Sequence, residues 1–363
     1  MNHIVNEDLN YIFESLNSTQ KKKLQDSTIL VTGCGGFLGF YLMHFFVQYA
    51  KTLNLKKIIG LDNFMFGKPK WLDLLMQDSG NILEINEFNI IKDDIATIPN
   101  AADANLIIHA ASIASPSFYR AYPIETLDAN VWGLRNLLEF YKNRALKGFL
   151  FFSSSEIYGD PSLENIPTSE EYRGNVACIG PRACYDESKR FGETICYLFH
   201  QKYQMPITIA RPFNNYGPGI GVNDKRVVAD FAQAVIQNID IKILSQGTPT
   251  RTFCYISDAI SGYLKVLLHD RFDYFNIGID KPEISITELS NIYVQQGKEI
   301  FGYTGKAIYD QSKEKDYLTH NPQRRCPNIQ KAKKEVDYNP TILVYEGVGR
   351  YLRFLKEQYN EVR

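Results

Sequence analysis

Thr28-Ile-Leu-Val-Thr-Gly-Cys-Gly-Gly-Phe-Leu-Gly39 decides the fold. Its first five residues form an apolar run of strand length, and an apolar helical pattern follows from Phe40 to about Tyr49. Between them stand Gly33, Gly36 and Gly39. Gly33 makes the tight turn, Gly36 lets the backbone approach a pyrophosphate, and Gly39 lets the helix pack closely. The helix N-terminus offers free N–H groups and the positive end of its dipole to phosphates. The next strand, Lys57 to Leu61, ends at Asp62, 23 positions after Gly39. A carboxylate there accepts hydrogen bonds from ribose hydroxyls and repels a 2′-phosphate, which favours NAD over NADP.

Working outward, strands follow at Leu106–His109, Gly148–Phe152 and Ile207–Ala210, separated by helical stretches near 126–144 and 184–203. Such alternation predicts an α/β fold with a doubly wound parallel sheet of the Rossmann kind. Beyond Arg211 the rhythm loosens around Arg211-Pro-Phe-Asn-Asn-Tyr-Gly-Pro-Gly219, which predicts a smaller, irregular α/β C-terminal domain for the substrate. The expected division is an N-terminal helical extension (1–26), a cofactor domain (27–210) and a substrate domain (211–363), with some segments interleaved. In the extension, Leu9, Ile12, Phe13 and Leu16 stand at helical spacing over residues 6–25, and Lys21 to Lys23 read as its solvated end.

The chain has 363 residues, 44% hydrophobic and 22% charged, enough to bury a sizeable core. Its 40 Lys+Arg against 41 Asp+Glu argue against a nucleic-acid partner, which would call for a basic excess. The 23 Tyr and 22 Phe are far more than a disordered chain carries. Six cysteines are dispersed without a C-x-x-C pair, so we expect reduced thiols and no metal site. No apolar run is long enough to span a bilayer, and the polar start is no signal peptide; the expectation is a soluble cytoplasmic protein without a membrane partner.

Two further stretches carry chemistry. In Tyr185-Asp-Glu-Ser-Lys189, Tyr and Lys four apart share a helix face. A free phenol titrates near 10, and a neighbouring ammonium favours the phenolate, as would a nicotinamide's positive charge. Such a tyrosine can take the proton of a sugar hydroxyl while hydride leaves the same carbon. Ser153-Ser-Ser-Glu156-Ile-Tyr-Gly159 follows a buried strand, where parallel sheets place their chemistry. Ser154 stands to bond the substrate hydroxyl beside Tyr185, and Glu156 is read as a substrate-facing acid or base or as a loop cap.

With these residues the chain resembles an extended short-chain dehydrogenase/reductase that modifies nucleotide sugars, and most closely the UDP-glucuronate decarboxylases. The likeness runs from about residue 28 to 340. Its most specific stretches are Ala111–Pro116, Ser153–Pro161, Gly180–Arg190, Phe213–Pro218, Asp224–Val228, Thr250–Phe253 and Arg324–Ile329.

The resemblance implies NAD as cofactor, Tyr185 as base, Lys189 as its electrostatic partner and ribose contact, and Ser154 as hydroxyl partner. Glu156 would assist at the substrate carboxylate or protonate the intermediate, and Arg325 would face that carboxylate. Asn214, Arg226 and Arg251 match positions that hold the nucleotide diphosphate, for which guanidinium forks are suited. Ser115, Tyr119, Arg182 and Val227 complete the expected substrate contacts. Phe37, Leu38, Asn63, Phe64 and Gly67 join Asp62 on the cofactor side, as do Ala110, Ala111, Ser112, Asn130 and Ser153. The adenine contact is open between Asn89-Ile90 and Asp94-Ile95.

The implied reaction oxidises C4 of the sugar, loses the C6 carboxylate as CO2 and protonates C5; hydride return or release of the 4-keto pentose both remain open. A 4,6-dehydratase, a 4-epimerase and a 4-dehydrogenase are the rival enzymes, and a non-catalytic NAD-binding scaffold the rival of another class. Against the family pattern, Ser154 replaces Thr, Ser188 replaces Gly, and Gly219-Ile220 replace Arg-Met. Family likeness also implies a homodimer through the helices near 126–144 and 184–203, which carry Trp132, Leu134, Leu137, Leu138, Ile195, Tyr197 and Leu198.

Overall fold

The computed structural model of the chain describes residues 2–221, 223–312 and 319–361. Seven parallel strands form the main sheet, numbered here within it. They are β1 (Thr28–Thr32), β2 (Lys57–Asp62), β3 (Leu83–Glu87), β4 (Leu106–His109), β5 (Gly148–Phe152), β6 (Ile207–Pro212) and β7 (Asp273–Ile277). Their order is β7-β6-β5-β4-β1-β2-β3. The order reverses between β1 and β4, which opens a crevice beyond their C-terminal ends.

Alternate side chains serve the two faces. Leu150 and Phe152 of β5 join one apolar cluster, Phe149 and Phe151 the other. Two strands escape a reading of sequence pattern. β3 buries only Leu83 and reads as polar chain, because it is the sheet's edge. β7 is supplied from far beyond Arg211 and pairs with β6 in register Phe275–Ala210.

The glycine-rich turn behaves as its spacing requires. Gly33 adopts φ +72°, where side chains are strained, and a Cβ there would lie 2.8 Å from the Ala111 nitrogen. The following helix begins at Phe37, earlier than the apolar pattern suggests, and no side chain caps its N-terminus. A Cβ on Gly39 would lie 2.2 Å from the Cys34 carbonyl oxygen.

The N-terminal extension is two helices, His3–Ser15 and Ser18–Leu24, not one. Asn17 interrupts it with a capping box: its side chain accepts from Gln20 N at 2.9 Å, and Gln20 Oε1 accepts from Asn17 N at 3.0 Å. Lys23 at its end is not merely solvated; it donates to Leu268 O at 2.9 Å and Asp270 at 2.6 Å. Leu9, Ile12 and Leu16 are buried, and so is Asp8. Asp8 accepts from Tyr41 Oη (2.6 Å), Tyr255 Oη (2.8 Å) and Arg350 Nη1 (2.9 Å). It thereby joins the glycine-rich helix, the chain just after Arg251 and the C-terminal helix Val344–Glu361.

All six cysteines are free thiols; Cys34, Cys196, Cys254 and Cys326 are buried and Cys178 is exposed. Among the described residues no helix is long and apolar enough to cross a membrane. Of the apolar residues expected at a dimer face, Leu134, Leu137, Leu138 and Ile195 pack in the core. Trp132, Tyr197 and Leu198 stand exposed, beside Phe191.

Candidate active site

A cavity of about 1410 Å3 opens at the crevice. That exceeds the ~300–1,000 Å3 of a single-ligand pocket, and it leaves room for a dinucleotide and a nucleotide sugar together. Its cofactor end is lined by Gly33, Gly36, Phe37, Leu38, Asp62, Asn63, Phe64 and Gly67, and by Ala110, Ala111, Ser112 and Ser153. Asp62 accepts from Gly35 N and Phe64 N, both at 2.9 Å, and burial raises its carboxyl above the usual range. The Ser112 hydroxyl is buried there with no partner in the protein. An uncapped helix N-terminus, a carboxylate at the second strand and an unpaired hydroxyl together fit a dinucleotide.

Two expected contacts lie outside the cavity wall. Gly39 is the seat of the helix on Cys34, as its packing distance shows. Asn130 sits in a one-turn π-helix, Ala129–Gly133, where its Nδ2 donates to Ser188 Oγ at 2.9 Å. Ser188 in turn donates to Tyr185 O at 3.0 Å, so the hydroxyl that replaces a glycine binds the helix to its neighbour. Asn89 and Ile90 line the cavity, whereas Asp94 and Ile95 line a smaller adjoining pocket.

The helix Ala183–Tyr203 presents Tyr185 and Lys189 to the cavity. Lys189 Nζ donates to Phe152 O, the last residue of β5, at 2.8 Å, and lies 5.7 Å from the Tyr185 ring centroid. Burial pushes the Tyr185 phenol up to about 12, against the pull of a hydrogen bond from Ser154. Burial also brings Lys189 down to about 7. Spacing alone suggested that the ammonium would acidify the phenol; in the folded protein, burial is the largest influence on each group and raises the phenol. Tyr119 stacks on Tyr185 with centroids 5.1 Å apart, and its hydroxyl has no partner.

Beyond them lies a buried charge cluster. Glu156 accepts from Arg182 Nη2 and Arg325 Nη1, and from Arg325 Nη2 at 2.8 Å. Burial pushes its carboxyl up, but the charges of Arg182 and Arg325 prevail and hold it well below the usual carboxylate range. Arg251 points its guanidinium at carbonyls, Thr250 O at 2.7 Å and Pro322 O at 2.5 Å, and burial brings it down to about 9. Arg226 pairs with Asp224 through two nitrogens, one at 2.8 Å, and lies 5.1 Å over the Phe37 ring. Ser115 Oγ bonds Asp224 O at 2.6 Å, and Asn214 Nδ2 bonds Thr252 O at 3.0 Å. Tyr119, Arg182, Val227, Ser154 and Asn214 all line the same cavity.

Sequence reading missed several groups. Asp186, beside Tyr185, is buried 3.5 Å from Arg182 Nε. His109 closes β4 with Nδ1 2.8 Å from Thr32 Oγ1, and burial, helped by the Lys189 charge, lowers it to about 3. Glu193 and Arg211 pair at 2.6 Å and clamp both ends of the Ser153–Tyr158 segment, Ser153 Oγ to Glu193 at 2.5 Å and Arg211 Nη1 to Tyr158 Oη at 2.7 Å. No local motif announces His109 or the Glu193–Arg211 pair, because their partners come from separate elements, whereas Asp186 meets Arg182 one turn earlier in the chain.

A family model described as the NAD dependent epimerase/dehydratase family matches residues 29–278. UDP-glucuronic acid decarboxylase 6 of Arabidopsis thaliana is 34% identical over 320 residues, 88% of this chain and 86% of that one. UDP-glucuronic acid decarboxylase 1 of Xenopus tropicalis is 32% identical over 330 residues, 91% of this chain and 72% of that one. Among solved structures, UDP-glucuronic acid 4-epimerase from Bacillus cereus, in complex with UDP-glucuronic acid and NAD, superposes with a TM-score of 0.74 at 24% identity, covering 92% of this chain and 100% of that one.

Proposed function

Because the chain belongs to the NAD dependent epimerase/dehydratase family, we propose that it is an NAD-dependent nucleotide-sugar decarboxylase converting UDP-glucuronate to UDP-xylose or its 4-keto pentose. One observation carries the reading: two buried arginines, Arg182 and Arg325, converge on Glu156 at the wall of the cavity that Tyr185 and Lys189 also line. Guanidinium forks of this kind hold a carboxylate, the group the reaction removes.

NAD, when bound, supplies the hydride acceptor at C4 and a positive charge beside the phenol. Tyr185 takes the C4 hydroxyl proton while Ser154 bonds the same oxygen. Lys189, held by Phe152 O, steadies the phenolate. Arg325 and Arg182 hold the C6 carboxylate, which becomes β to the new ketone. Its bond to C5 then breaks, the electron pair delocalises onto the C4 oxygen, and CO2 departs. Glu156 stays ionised and orients the two arginines, so of its two expected roles the positioning one is favoured over proton donation. An acid at that segment is what a 4,6-dehydratase needs, and an ionised Glu156 beside Ser155 supplies none. Arg226, Arg251 and Asn214 hold the diphosphate.

The exposed Trp132, Phe191 and Leu198 support a homodimer through this face, and unpaired thiols support a cytoplasmic setting. Incubation with UDP-glucuronate, followed by NMR of the sugar and trapping of CO2, tests the reading. A pentose with one CO2 per sugar is expected; a galacturonate, or a 4-keto product that keeps its carboxylate, would overturn it.

A further inference from the structure

We propose that Phe66 and Phe118 form an aromatic clasp over the cofactor: their stacked rings shut the crevice above the glycine-rich turn and must part for NAD to enter or leave.

Topology places the clasp. β1 lies between β2 and β4, so a contact from the segment after β2 to the segment after β4 spans the C-terminal end of β1. There stand Gly33, Gly36 and the uncapped N-terminus of the helix Phe37–Tyr49. The two segments also leave toward opposite faces of the sheet. The helix after β2, Lys70–Asp78, packs Leu72 and Leu75 into the same apolar cluster as Phe45 and Phe46. Beyond β4, Leu134 and Leu137 belong to the other cluster. A contact between the two segments therefore bridges the crevice where the pyrophosphate-binding turn opens.

Phe66 and Phe118 make that contact. Their ring centroids lie 4.6 Å apart with planes 27° from parallel, and Tyr122 meets the Phe66 ring edge-on at 6.0 Å. Both phenylalanines line the cavity. Phe66 is 56% exposed, and among the described residues neither ring joins an apolar core cluster. Core packing thus gives no reason for two phenylalanines here. The crevice they bridge does.

Both jaws are anchored in the machinery below them. Asp62 accepts from Phe64 N at 2.9 Å, Asn63 Oδ1 from Met65 N at 3.1 Å, and Phe64 O from Gly67 N at 2.8 Å. Phe64 and Gly67 take φ of +49° and +92°, which folds the segment carrying Phe66 into successive turns. Phe118 stands on the helix Pro116–Ala121, next to Tyr119, which stacks on Tyr185. Ser115, at the start of that helix, bonds Asp224 O at 2.6 Å. The clasp thereby ties the carboxylate expected at the cofactor ribose to the helix beside the base. A shut clasp holds the reduced cofactor through the cycle, which favours return of hydride to C4 over release of the 4-keto pentose. This last consequence rests on the decarboxylase reading.

Exchange of bound NADH against excess NAD, followed by loss of nicotinamide fluorescence in a stopped flow, tests the clasp without any nucleotide sugar. An aromatic pair of this geometry is worth up to about tenfold, so Phe66→Ala and Phe118→Ala should each speed NADH release by about threefold to tenfold. A gate limits passage both ways, so association should rise by a similar factor. The double variant should match the faster single one, since neither ring stacks alone. Phe66→Tyr, which keeps an aromatic face, should stay within about twofold of the parent. Parental rates in both alanine variants, faster release with unchanged association, or effects that multiply in the double variant would overturn the proposal. The parent alone supplies a second reading. Its turnover of UDP-glucuronate should yield the reduced pentose without free NADH; the 4-keto pentose as main product would overturn retention by the clasp. Absence of CO2 would instead fail the decarboxylase reading, and the exchange rates would still judge the clasp.

Discussion

Arg325 Nη2 lies 2.8 Å from Glu156 Oε2 across 169 residues of chain, joining the segment after β5 to the last short strand. Arg325 is buried, and it shares the compensation of Glu156 with Arg182. Removing one partner of such a pair typically costs about 3–5 kcal/mol, because the survivor stays buried and unpaired. Arg325→Ala should therefore lower kcat/KM for UDP-glucuronate by about 100-fold or more while leaving NAD affinity within about twofold. Arg325→Lys should rescue little, since an ammonium lacks the fork. Steady-state kinetics beside NAD titration checks this; an unchanged rate would remove Arg325 from the site.

Lys189 makes the stability of the fold depend on pH. Its folded value, near 7, lies below that of an unfolded lysine, so the folded state binds the proton less tightly. Burying it costs stability fully below pH 7, and the cost shrinks as pH rises from 7 toward 10.5. Lys189→Met should thus raise the Tm of the NAD-free protein by a few degrees at pH 6–7, with the gain fading by pH 10. Activity should fall by about 100-fold or more at the same time. Thermal denaturation across pH is the measurement, and a pH-independent change in Tm would contradict it.

Glycine spacing and strand-helix alternation made the sheet core, the cofactor turn and the Tyr185–Lys189 pair legible in the sequence. Those features are local, so a short stretch carries each. Edge strand β3 and late strand β7 were not legible, because one is half polar and the other is defined only by its pairing with β6. The roles of Glu193 and Arg211 escaped because each one's partner sits on a separate segment. Burial, which no local motif reports, is the largest influence on the Tyr185 phenol.

Gly39 offers a direct test of close packing. A Cβ there would meet the Cys34 carbonyl oxygen at 2.2 Å, and backbone cannot yield as a side chain would. Gly39→Ala should cost about 2–4 kcal/mol and weaken NAD binding at least tenfold by shifting the helix from its turn. Denaturant melts with NAD titration check both effects. Parental stability would contradict the close-packing account.

Asp8 gives the N-terminal extension a measurable role. Asp8→Ala leaves Tyr41 and Tyr255 without their buried acceptor and Arg350 with only Glu346. The expected loss is about 2–4 kcal/mol. Because Tyr41 stands on the glycine-rich helix, NAD affinity should fall with it. A variant that matches the parent in urea would show that the extension is dispensable.

The most direct test of the central claim is CO2 release from UDP-glucuronate in a single turnover, parent against Tyr185→Phe, both loaded with NAD. The account predicts about one CO2 per site for the parent and a rate at least about 100-fold lower for the phenylalanine variant, with NAD affinity unchanged. Equal rates, or no CO2 from the parent, would contradict it.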